Sequence, residues 1–204
     1  MKSQADIVGL VLIVLISIGL LSLAYTWGMP LIQKKQDTSK YERIFKIFDP
    51  NNPNSLERKI VYVANSESSE IFSSDYDGTW IIDPNENSIS FSFVSKVTGI
   101  SPKNEWYSLL PNKDCSNPSS QEGILGSDES FIVCTKAKSL GDSFEITFKI
   151  WFINLTDPIS GKKYLIHIYP ESLNASVTKT LKLEYSSAYE TSEIRKTNVG
   201  IVLL

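Results

Sequence analysis

A chain of 204 residues with a formal net charge of −3, 11% aromatic residues and two cysteines has room for one ordinary domain and an appendage. The mild acidity leaves no strongly basic balance, which argues against a nucleic-acid partner. The aromatic content suits a packed core rather than a disordered tail.

The first element is set by residues 7–32, a run without Asp, Glu, Lys or Arg. As a helix this run spans about 39 Å, against about 30 Å for the hydrocarbon core of a bilayer. A secretory signal has a shorter apolar core, roughly 7–15 residues, followed by a small-x-small cleavage site. The stretch "AYTWGMPLIQKK" that closes the run offers no A-x-A, so a retained helix is expected. It continues beyond Ile32, because Tyr41, Ile44, Phe45 and Phe48 recur at helical spacing while Lys40, Glu42, Arg43 and Lys46 take the other side. Asp49-Pro50 and "NNPNS" stop it. One helix over 5–48, about 65 Å long, is therefore expected, with a kink at Gly28 and Pro30. Ala24 and Gly28 form a small-xxx-small pair, a device for close helix approach that also arises by chance. Tyr25 and Trp27 read as an interfacial aromatic belt.

Orientation is pulled two ways. Lys34 and Lys35, behind the run, place the C-terminal side inside by the positive-inside rule. Cys115 with Cys134, one disulfide or two buried thiols, and the sequons Asn154-Leu155-Thr156 and Asn174-Ala175-Ser176 favour the outside. The charge rule loses force for a large translocated domain, and the external placement is adopted.

The leader Met1-Lys2-Ser3, then Gln4, an acid at Asp6 and a long Ile/Leu/Val helix passing into "AYTWGMPLIQKKQDTSKYERI" resemble the N-terminus of archaeal type IV pilins and archaellin-like proteins with class III signal peptides. The resemblance covers residues 1–45. It implies that a prepilin peptidase cuts between Ser3 and Gln4, before the apolar helix, and that Asp6 acts near the new N-terminus. It also implies that the helix rests in membrane lipid until assembly machinery bundles many copies of the chain into a filament core, with β-rich heads outside. Ser3 stands where Gly or Ala is usual, and Asp6 falls third in the cut chain where Glu fifth is commoner. Asp6 has a simpler reading as well, a charge favoured at a helix N-terminus by about 0.3–1 kcal/mol. Val14 lies in the middle of the uncharged run, where a charge would disturb such a core.

From Ser55 onward, short alternating segments recur between turn signals. "ERKIVYVAN" reads as a strand; "GTWIIDP" and "SISFSFVSK" read as a hairpin around residues 83–87; "SFIVCTKAK", "SFEITFKIWFINL", "KKYLIHIYP", "SVTKTLKLEYS" and "GIVLL" follow. Phe144, Ile146, Phe148, Ile150 and Phe152 share one face of the fifth segment, and Trp151 and Ile153 make its other face apolar, as in a central strand. The expected fold is α+β: a long hydrophobic N-terminal helix followed by an antiparallel β-sandwich head. The domains are a leader at 1–3, the helix at 4–49 and an external head at 55–204. "PNKDCSNPSSQEGILGSDES" is the longest irregular stretch and reads as an exposed loop.

Little in the chain points to chemistry. His167 stands alone in a strand pattern, and Asp75 and Asp77 sit in a turn-like "SSDYDGT". No phosphate loop, G-x-S-x-G or HExxH occurs. No catalytic residue, metal or cofactor is expected. The leading expectation is a filament subunit whose head mediates adhesion; the alternative is a monomeric, membrane-anchored extracellular binding domain.

Overall fold

A computed structural model describes the backbone of residues 2–204 and the side chains from Val8 onward, Ser119 excepted. The chain divides into two compact units, one ending at Ser39 and one comprising Lys40–Leu204. Helix α1 (Lys2–Ile47) runs unbroken through Gly28 and Pro30, and its last two turns belong to the second unit.

Those two turns carry the head's first apolar stripe. Ile44 and Phe48 are fully buried, with Tyr41 and Phe45 packed beside them. The Phe48 ring stacks on Phe148 at 4.8 Å and lies 6.0 Å from both Trp80 and Phe91. Rings at these separations add about 0.5–1.5 kcal/mol per pair beyond the area they bury.

Helix α2 (Leu56–Ser66) replaces the strand expected from "ERKIVYVAN". Its buried residues Leu56, Ile60, Val63 and Ala64 keep helical spacing. Ser55 occupies the N-cap position in extended conformation, and Glu67 closes the C-terminus in the left-handed region, its N–H donating to the Val63 carbonyl. The β-branched residues suggested a strand because propensity is a weak prior. The apolar face packed against the sheet decides the outcome. Arg58 fixes the helix laterally. Its guanidinium bonds both carboxylate oxygens of Glu129, at 3.0 and 2.6 Å, and also donates to the Pro50 carbonyl.

Ten strands follow: β1 (Ser69–Asp83), β2 (Ser88–Ser95), β3 (Tyr107–Ser108), β4 (Glu122–Ile124), β5 (Phe131–Ser139), β6 (Phe144–Phe152), β7 (Asn154–Thr156), β8 (Lys163–Pro170), β9 (Ala175–Glu190) and β10 (Ile194–Leu203). They form one sheet, in the order β3-β5-β6-β2-β1-β9-β10-β8-β7-β4. This corrects the antiparallel sandwich: the sheet is single, mixed and curled. The C-terminal strand β10 inserts between β9 and β8, antiparallel to the first and parallel to the second, and β4 pairs in parallel with β7. Curling lets one sheet enclose a core that otherwise needs two. The inward residues of β1, β2, β6, β9 and β10, among them Trp80, Ile82, Phe91, Ile150, Leu183 and Ile201, surround α2 and the end of α1.

Two polar side chains in this core bond across strands. The Trp80 indole N–H donates to the Thr178 carbonyl at 3.0 Å, satisfying the only polar atom of a fully buried ring. Asn87, at φ 51°, donates to the carbonyls of Phe152 and Ile166 and accepts from the Ile168 N–H. One turn side chain thereby ties β6 to β8, which are not neighbours in the sheet.

Candidate functional site

The unit ending at Ser39 is a single helix whose composition dictates its surroundings. From Val8 to Ile32 its apolar side chains are exposed on every side: Leu20, Leu21 and Leu23 are 62%, 70% and 60% exposed. A helix apolar all round is stable in lipid or inside a bundle, and not in water. Two of its hydroxyls are satisfied within the helix. Ser17 donates to the Ile13 carbonyl at 2.8 Å and Thr26 to the Leu23 carbonyl at 3.1 Å, the local bonding that lets such residues lie in an apolar medium. By length and composition this helix is able to cross a membrane.

Val14 is 48% exposed in the middle of this surface. Ala24 is exposed, and a Cβ placed on Gly28 would meet nothing within 4 Å, so the pair leaves room for another backbone to approach. Tyr25 and Trp27 stand out at 67% and 78% exposure, with Lys34 and Lys35 beyond them. The cut between Ser3 and Gln4 and the acid at Asp6 fall on side chains outside the described residues.

In the head, Cys115 and Cys134 are joined in a disulfide. They lie in a small second core with Ile132, Trp151 and Ile153, covered by Trp106. Strand β5 is thus buried on both faces, its inner side by the main core and its outer side by the stapled segment. The segment read as an exposed loop is exposed over much of its length, but it contributes Cys115 to this core and β4 to the sheet. Asn174 is exposed, whereas Asn154 is half-buried on β7 with its side-chain oxygen enclosed and unpaired.

Asp75 and Asp77 lie where β1 bulges away from β9, each near a cation on an exposed surface: Arg43 at 3.9 Å and Lys179 at 3.6 Å. Such pairs contribute little to stability. His167 is half-buried on β8; burial, then the nearby Lys196 charge, hold its imidazole below the usual range. Among the described residues, no group of three or more His, Cys, Asp or Glu side chains is placed to hold a metal.

Glu57 escaped the sequence reading, which put it in a strand. It is fully buried in the first turn of α2, and both carboxyl oxygens lack a hydrogen-bond partner. Burial pushes its carboxyl up to about 7. Ser55, its own backbone N–H and Arg58 oppose the shift, near enough to favour the charged form though outside hydrogen-bond geometry, and Asp49 adds to it. The signal available in the sequence was an acid two positions after a Ser N-cap.

Comparison of the chain with known protein families, with characterised proteins and with solved structures gives no match.

Proposed function

We propose that the chain is the structural subunit of an archaeal type IV pilus-like surface filament, held in the membrane by α1 before assembly and packed through it against copies of itself afterwards. The observation that carries this reading is the helix from Val8 to Ile32, uncharged and exposed on every side. Lipid is one medium that satisfies such a surface. A bundle of identical helices is the other, since each buried Leu, Ile or Val is favoured over exposure to water by about 1.5–3 kcal/mol. Transfer from lipid to bundle gains little from the hydrophobic effect itself. Close packing, with small residues such as Ala24 and Gly28 at the contact, supplies the preference instead. The disulfide supports an oxidising compartment for the head, hence the cell surface.

The order of events is the one that the resemblance of residues 1–45 to archaeal type IV pilins implies. A prepilin peptidase cuts between Ser3 and Gln4 and leaves the helix in place, and assembly machinery then draws the subunit into the filament. A second reading, a monomeric membrane-anchored binding domain, draws on the fact that α1 alone is long enough to span a bilayer.

Intact-mass spectrometry on sheared surface material and on membranes from native cells tests the two. The expected result is a mass beginning at Gln4 in the sheared fraction. A mass beginning at Met1, confined to membranes, would overturn the filament reading in favour of the anchored monomer.

A further inference from the structure

The outer face of the sheet, opposite the core, carries a groove of about 380 Å³. Its floor is set by strand register. Ser92 stands opposite Thr147, and Thr147 opposite Lys136; one row on, Ile81, Ser90 and Lys149 are successive partners. Neighbouring strands are about 4.8 Å apart, close to the length of one pyranose ring. The Ser92 and Thr147 hydroxyls lie 2.9 Å apart, sharing one hydrogen bond and keeping lone pairs for a ligand.

The wall is built by the segment before β3. The Asn104 N–H donates to the Ala137 carbonyl at 2.9 Å, and Lys103 forms an isolated bridge with Lys138, which brings Asn104 and Trp106 to the groove. Trp106 meets Trp151 edge to face at 5.5 Å. The Lys136 ammonium sits 4.7 Å from the Trp106 ring centre and the Lys149 ammonium 4.6 Å from that of Trp151. Lys149 is also paired with Glu86. Among the described residues, neither Lys136 nor Lys138 has a carboxylate within 4.0 Å, although Glu145 is the cross-strand partner of Lys138. Three lysines, Lys136, Lys138 and Lys149, and one carboxylate, Glu145, thus line the groove and leave it net positive over a floor of hydroxyls, on a chain whose net charge is −3.

We propose that this groove binds acidic saccharide chains. Lys136 and Lys138 meet the sugar carboxylates, and Ser90, Ser92, Thr147 and Asn104 exchange hydrogen bonds with ring hydroxyls. Single-stranded nucleic acid fits less well, because base stacking needs open aromatic faces and Lys136 lies over the Trp106 ring. The proposal deepens the filament reading, in which the head faces the medium and adheres.

The test uses the full chain in detergent micelles, with tryptophan fluorescence read against oligogalacturonate, a neutral galacto-oligosaccharide of equal length and single-stranded DNA. The expected result is a saturable response to oligogalacturonate alone, weakened at least tenfold in the Lys136→Gln/Lys138→Gln double variant and unchanged in Lys179→Gln, an exposed lysine elsewhere on the head. No saturable response, an equal response to the neutral oligomer or to DNA, or an undiminished response in the double variant would each overturn the proposal. Because binding is read on the isolated chain, its failure is distinct from the outcome of the mass measurement.

Discussion

Glu57 gives the head a pH response that follows from its position. A buried carboxyl raised from 4.5 to about 7 binds its proton more tightly folded than unfolded. The stability it permits is complete below the unfolded pKa, declines as pH rises between the two values and is lost once pH passes about 7. At 1.36 kcal/mol per pKa unit, moving from pH 5 to pH 8 costs roughly 2–3 kcal/mol. Glu57→Gln removes the ionisation while keeping the shape, so the variant is expected to be the more stable form at pH 8 and similar to the parent at pH 5. Urea unfolding at both pH values checks this, and parallel pH dependences in parent and variant would refute it. The charges facing Glu57 are Arg58 and Asp49, of opposite effect, so desolvation governs the shift.

At the scale of elements, the disulfide holds an irregular segment across the outer face of β5 and β6. A bridge spanning 19 residues in sequence constrains the unfolded chain by about 3 kcal/mol. Cys115→Ser is therefore expected to lower head stability by about that amount, read as a fall in denaturant midpoint, and an unchanged midpoint would show that the segment is held by packing alone. The same strands explain what was legible in the sequence. The apolar second face of β6 was visible in Trp151, and in Ile153 just beyond its end, because alternation is local. That Trp106 and Cys115 are the residues covering it was not, since they come from segments far along the chain. Helix α2 was misread for a related reason. Its nine-residue pattern fits both periods, and packing of Leu56, Ile60, Val63 and Ala64 against the sheet breaks the tie.

At the scale of the whole molecule, filament assembly and head folding are expected to be separable. Val14 lies in the unit that ends at Ser39, apart from the head's core. Val14→Asp places a charge in the middle of the apolar helix, where burial without a partner costs several kcal/mol. Filaments are expected to be lost from cells carrying it, while the head keeps its disulfide and its denaturant midpoint. Normal filaments from that variant would count against a polymer core built from α1.

By itself the sequence determined the long apolar helix, its amphipathic last turns and its stop at Asp49-Pro50, because charge, spacing and proline act within a few residues of one another. It also determined that the body is rich in strands. The tertiary structure alone decided that the strands form one curled, mixed sheet, with β10 inserted between β9 and β8. It alone brought Ser92, Thr147, Lys136 and Trp106 to one groove. Strand order and register are long-range choices, made by which apolar faces bury together, and no local pattern records them.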